Sequence, residues 1–218
     1  MGSFKFSKME NHPKNVYKYT IPWFRKGWDQ IDLPPYPPDG KEENFEELKK
    51  LKKLIKSNKK KNWEEIKEQD AESSNFIDPF IEIVGDKERN FIKELVSQLY
   101  KIVHHYKNKF DRPRPWHMAK ELNFHLPHLK SESGNNPSYP SGHAFAAYFL
   151  SEILGKRHPE HKHKLVRHAN NVANNRMRGG VHYPSDIKAA KLLVKKLIPL
   201  FIEPGKLHFK EWLKEKGQ

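Results

Sequence analysis

The 218-residue sequence predicts an all-α protein. Three observations carry this. Apolar residues recur at helical spacing over long stretches, as in Ile92, Leu95, Val96, Leu99 and Val103. No stretch shows the alternation expected of a half-buried strand. Proline and glycine fall between the periodic stretches, where they end helices. No internal repeat is present. The length fits one domain, residues 1–218, with an N-terminal strap and helices over 1–75 packed on a core over 76–218.

Residues 1 to about 40 read as irregular. They hold Trp23, Phe24 and Trp28, then Leu33-Pro34-Pro35-Tyr36-Pro37-Pro38. The paired prolines force an extended chain. Aromatic neighbours favour a strap across the domain over an exposed SH3-type ligand. Glu42 to Ile55 predicts a helix, acidic at its start and basic at its end as the helix dipole prefers. Phe45, Leu48, Leu51 (or Lys52) and Ile55 form its apolar face. The run Lys59-Lys60-Lys61 reads as a solvated helix end rather than a nuclear-localisation or nucleic-acid patch. Trp63 to Glu72 predicts a second helix, and Phe76 to Val84 a turn or short helical piece around Pro79.

Asp86 is expected to cap a long helix to about Lys107, stopped by Arg112-Pro113-Arg114-Pro115. A loop is expected from His117 to Pro140. Helices follow from His143 to about Leu154 and from Glu160 to Arg178, the latter broken by Gly179-Gly180. Ser185 is expected to cap a final core helix from Asp186 to about Leu200, and His208 to Lys216 to add a short one. His104, His105, His161, His163 and His168 are expected on exposed helix faces rather than in a metal site.

Composition narrows the function. The absence of cysteine excludes disulfides and Cys metal sites. No apolar run approaches the roughly 20 residues of a membrane span, so no transmembrane segment is expected. Met1 to Phe6 lacks an apolar signal core, and Phe6 stands where a myristoylation signal carries Ser or Thr. The expectation is a soluble, cytoplasmic protein. The net charge of +14 favours anionic partners: a small phosphorylated molecule, a lipid phosphate at an anionic membrane surface, or, least favoured, nucleic acid. A homo-oligomer is compatible with the sequence.

The chemistry concentrates at three loop-to-helix junctions. The first holds Lys107 and, after six residues, Arg114-Pro115. The second is Pro140-Ser141-Gly142-His143, a tight turn opening into an apolar helix whose first N–H groups suit an anion. The third holds Arg176, then His182 after five residues and Asp186 after three more. Together they supply three cations, a hydroxyl, backbone donors, two imidazoles and a carboxylate. That inventory fits phosphoryl transfer without metal. Lys and Arg hold the phosphoryl oxygens, one His attacks phosphorus, an Asp fixes its tautomer, and the second His protonates the leaving oxygen.

These blocks resemble the signature of the type 2 phosphatidic acid phosphatase superfamily, shared with vanadium haloperoxidases and bacterial class A non-specific acid phosphatases. The signature runs Lys, six residues, Arg-Pro; Pro-Ser-Gly-His; Ser-Arg, five residues, His, three residues, Asp. Only Asn175 departs, standing where the family has Ser. The proline-rich Leu33 to Pro38, Ser138-Tyr139 and Gly180 look like the soluble class A enzymes.

The resemblance implies a helical bundle with its site at one end of the core helices. It implies phosphate binding by Lys107, Arg114, Ser141, Gly142 and Arg176, with His182 as nucleophile, His143 as general acid and Asp186 as orienting partner. It implies a phosphatase needing no metal or other cofactor, inhibited by vanadate. A vanadium haloperoxidase, with vanadate as prosthetic group, is the alternative enzyme. A basic module binding nucleic acid or anionic membrane is the alternative without catalysis.

Overall fold

A computed structural model of the chain describes residues 21–71, 75–131 and 134–204. The helices run as α1 (Glu42–Lys56), α2 (Lys60–Ala71), α3 (Asp78–Val84), α4 (Arg89–Phe110), α5 (Pro115–Glu121), α6 (Gly142–Arg157), α7 (Lys162–Arg178) and α8 (Pro184–Leu197). Among the described residues no strand forms, only an isolated bridge between Phe24 and Phe201. The class is all-α.

The architecture turns on α6. Its sequence is apolar around most of its circumference, and such a helix is stable only when surrounded. Ala144, Phe145, Ala147, Phe149, Leu150 and Leu154 are all fully buried. The helices α4, α7 and α8 pack around it. Each brings one apolar stripe: Ile92, Leu95, Leu99 and Val103 on α4, Leu165, Ala169 and Val172 on α7, Ala190, Leu193 and Leu197 on α8. The short helices α1, α2 and α3 lie against α7.

The described segment before α1, residues 21–41, is a strap tied down by backbone and aromatic contacts. The Trp23 N–H donates to Gln98 Oε1 at 3.1 Å, and its ring stacks on Phe91 with centroids 5.4 Å apart. Tyr106 donates its hydroxyl to the Trp28 carbonyl at 2.6 Å, and Tyr139 donates to that of Pro34 at 2.6 Å.

Several boundaries differ from expectation. Asp86 does not cap α4. It opens a 3-10 turn, Asp86–Glu88, and its carboxylate accepts from Arg89 Nε at 2.7 Å. The α4 helix continues to Phe110 and stops at Asp111, whose φ of 48° is left-handed. The start of the loop expected from His117 to Pro140 belongs instead to α5, because Pro115 occupies the first helical position, where a missing N–H costs nothing; the loop begins after Glu121. Likewise α6 reaches Arg157, a 3-10 turn at Pro159–His161 precedes α7, and α8 starts at Pro184 and ends at Leu197. Ser185 therefore lies inside the first turn of α8 and is not its cap, which is Tyr183. The short helix expected at His208 to Lys216 lies outside the described residues, as does Met1 to Phe6.

The histidines also divide. His163 is exposed. His168 instead packs edge-on against Phe80 at 4.7 Å and meets the Phe76 carbonyl at 2.9 Å, and burial lowers its pKa. His105 lies edge-on to Trp28 at 5.4 Å. His104 lines the cavity described next.

Candidate active site

The three junctions meet at one end of α4, α6 and α7. Lys107 sits in the last turn of α4, Arg114 in the link to α5, Ser141 at the N-cap of α6 and Arg176 in the last turn of α7. Two glycines then turn the chain back. Gly180 adopts φ +70°, and a Cβ there would meet the Pro127 carbonyl and Ile55 at 3.0 Å, so a side chain is excluded on two counts. The returning loop carries His182, and Asp186 follows in the first turn of α8.

A cavity of about 260 Å³ opens between them, walled by Lys107, Arg114, Gly142, His143 and His182 among others. Asp186 stands behind His182. Arg176 is turned toward Asp70, with its Nη1 2.7 Å from Asp70 Oδ1. The Ser141 hydroxyl is fully buried with no hydrogen-bond partner among the described residues. An unpaired buried hydroxyl costs about 1–3 kcal/mol, so it is a ready partner for an arriving oxyanion. The first turn of α6, with Gly142 and His143, adds backbone donors without intrahelical partners.

The geometry assigns the tautomer of His182. Arg114 Nη1 lies 2.9 Å from His182 Nε2, and His182 Nδ1 lies 3.0 Å from Asp186 Oδ2. A guanidinium only donates. Nε2 must therefore accept, and Nδ1 carries the hydrogen and donates to the carboxylate. The imidazole thus turns a lone pair toward the cation-lined cavity.

Asp186 is itself held from several sides. Its Oδ2 accepts from Ser138 Oγ at 2.5 Å and from the Tyr183 N–H at 2.9 Å. Its Oδ1 accepts from Arg112 Nη1 at 2.6 Å. Arg112 is fully buried, its guanidinium carbon 3.7 Å from the Tyr183 ring centre and 4.7 Å from that of Tyr36. Its Nη2 donates to Glu47 Oε2 at 2.8 Å, and Glu47 also accepts the Ser185 N–H at 2.7 Å. A chain of contacts thus runs from His182 through Asp186 and Arg112 to Glu47 on α1.

Arg114 is anchored as firmly, donating to the carbonyl of Asn136 at 2.8 Å, its side-chain Oδ1 at 2.9 Å and the Val181 carbonyl at 2.8 Å. Lys107 Nζ donates to the Pro137 carbonyl.

Packing three cations in a buried space has electrostatic consequences. Burial, then Arg114, pushes the Lys107 pKa well below its ordinary value, with Asp186 opposing. Burial and Arg176 bring Arg114 down to about 9. His182 is held well below 6.5 by burial, then by Arg114, Lys107 and Arg176. His143 is held well below 6.5 by burial, then by Arg176, His182, Arg114 and Lys107. Both imidazoles are therefore neutral at pH 7, and an entering anion would reverse the field that keeps them so.

The motif spacing passes over Arg112, and Glu47, Asp70 and Asn136 lie outside it. Arg112 lies two residues before Arg114, in the same Arg-Pro-Arg-Pro run. The others carry no local signal, since each reaches the site from a different part of the chain. Asn175, the departure from the signature, is buried and donates its Nδ2 to Gln69 Oε1 at 3.0 Å. Among the described residues, no group of three or more His, Asp or Glu is placed to hold a metal ion, and no helix is long and apolar enough to cross a membrane.

No curated protein matches the chain. The model of the PAP2 superfamily matches residues 94–193, the span that carries Lys107, Arg114, His143, Arg176, His182 and Asp186. Over that span, a little under half of the chain, the protein is similar to the PAP2 superfamily.

Proposed function

We propose that the protein is a metal-independent phosphomonoester hydrolase acting through a phosphohistidine on His182. The family supports a phosphatase-type activity. The observation that carries the finer reading is the chain Arg114–His182–Asp186, which turns the unprotonated nitrogen of His182 into a cavity walled by cations.

In this reading the phosphoryl oxygens take the N–H groups of Lys107, Arg114 and Arg176, the Ser141 hydroxyl and the first turn of α6. Displaced from Arg114, His182 Nε2 forms a bond to phosphorus as the ester P–O bond breaks. Asp186 accepts from Nδ1 and stabilises the charge that develops on the ring. His143, protonated once the phosphoryl group offsets the surrounding cations, gives its proton to the leaving oxygen. Water then attacks the phosphohistidine. Its proton goes to His143, the N–P bond breaks, and phosphate departs.

The test is release of phosphate from an aryl phosphate with EDTA and with vanadate. Activity should persist with the chelator and be lost with vanadate, which adopts the five-coordinate geometry of the transferring phosphorus. Inactivation by EDTA that zinc or magnesium restores would overturn the metal-independent mechanism.

A further inference from the structure

Arg176 occupies the position of a phosphate-binding arginine, yet a carboxylate of the same chain is already on it. Asp70 Oδ1 lies 2.7 Å from Arg176 Nη1, with side chains only 5% and 1% exposed. Asp70 also accepts from Ser131 Oγ at 2.8 Å. It lines the same cavity as Lys107, Arg114, His143 and His182. So sheltered a charge acts strongly on anything that enters, because little water screens it.

The packing of α2 on α7 delivers this carboxylate. Asn171 Nδ2 donates to Glu65 Oε1, Gln69 Nε2 donates to the same oxygen at 3.4 Å, and Asn175 Nδ2 donates to Gln69 Oε1 at 3.0 Å. This ladder of amides and one carboxylate fixes the end of α2 against the last turns of α7. Asn175, the one departure from the signature, anchors the residue next to Asp70. An asparagine amide reaches across this gap from a helix face, where a serine hydroxyl is one bond shorter.

We propose that Asp70 is an internal competitor for phosphoryl oxygens: it occupies Arg176 in the resting pocket and weakens the hold on bound oxyanions. The inference rests on the reading of the cavity as a phosphoryl-transfer site. A phosphate reaching Arg176 must share the guanidinium with Asp70 or push it aside, and in either case meets a like charge. The penalty grows with the charge on the anion, so it falls on doubly charged phosphomonoesters and inorganic phosphate alike, and less on singly charged diesters. Asp70 thereby weakens the hold on substrate and product phosphoryl groups together.

The Asp70→Asn variant separates charge from shape, because its amide oxygen still accepts from Arg176. Binding of inorganic phosphate and of orthovanadate is measured by titration calorimetry on the full chain. The variant should bind both about tenfold to a hundredfold more tightly, the worth of one charge-assisted contact. Damage to the pocket would weaken binding, so a gain in affinity is specific to the competitor role. Unchanged or weaker binding in the variant overturns the proposal and makes Asp70 a support that holds Arg176 in place. A variant that folds only with phosphate present supports it, since the anion then takes the place of the carboxylate. A variant that stays unfolded with phosphate overturns it. Wild-type protein that binds neither anion overturns the phosphoryl-transfer reading and this inference together. Wild-type binding without tightening in the variant overturns this inference alone.

Discussion

At the scale of single residues, the two cavity histidines differ in what stands behind them. His182 has a carboxylate on Nδ1 at 3.0 Å, while His143 packs against the Phe76 ring at 5.0 Å. The first arrangement suits the nucleophile proposed above, and the second leaves a group whose proton depends on the field in the cavity. Replacing His182 by Ala should abolish turnover of every substrate and remove any trapped phosphoenzyme. Replacing His143 by Ala should slow alkyl phosphates by about a hundredfold to ten-thousandfold and nitrophenyl phosphate far less, since nitrophenolate leaves without a proton. Rapid-quench labelling with a radioactive phosphate donor checks both. Label that persists in the His182 variant and vanishes in the His143 variant would reverse the two roles. The pH profile follows from the same field. The acid form of His143 is populated in the free protein only well below pH 6.5, so kcat/KM should fall as pH rises and peak on the acid side of 6.5. A peak on the alkaline side would exclude His143 as the acid.

At the scale of elements, the cavity is made of helix ends. Its polar groups come from the ends of α2, α4, α6, α7 and α8 and the start of α5, because a helix terminus combines fixed backbone with unpaired donors. A rigid core behind them holds the geometry. One reinforcement comes from far away in sequence, where α1 sends Glu47 to Arg112 and to the first turn of α8. With Arg112 fully buried and the Glu47 side chain 10% exposed, removing the carboxylate leaves a buried charge without half of its compensation. Glu47→Ala should cost about 3–5 kcal/mol in urea unfolding and lower kcat more than it changes KM. A chain starting at residue 76 loses Glu47, Asp70 and the strap together, and should be poorly soluble and inactive. Full activity of that shortened chain at an unchanged Tm would show that the strap and first helices are separable.

At the scale of the whole molecule, the site is held against its own charge. Lys107, Arg112, Arg114 and Arg176 are buried within one region, with Asp186, Glu47 and Asp70 set among them. The two buried histidines add a dependence on pH. Their folded pKa values lie well below the 6.5 of the unfolded chain, so the unfolded state binds more protons as pH falls below 6.5. Stability present above that pH is lost on the acid side, by up to about 1.4 kcal/mol per pH unit for each histidine. Urea unfolding at pH 7.5 and pH 5 should show the loss, and added phosphate should reduce it. Equal or greater stability at pH 5 without phosphate would mean that the histidines are not buried as neutral rings.

The sequence by itself determined the class and the positions of the candidate site residues. Helical periodicity is local, and so are the spacings within the three blocks, which is why α4, α6 and α7 are legible from the sequence alone. The position of Pro115 as a helix starter is equally local but reads as a stop, because proline carries both meanings. Only the tertiary structure decided what surrounds each residue. Glu47 meets Ser185 across 138 residues of chain, and Asn136 meets Arg114 across 22. The Gln69–Asn175 bond that seats Asp70 beside Arg176 closes 106 residues. Pairings over such separations leave no trace in spacing. They follow from which faces the helices bury against one another, and that packing is what sets a carboxylate beside Arg176.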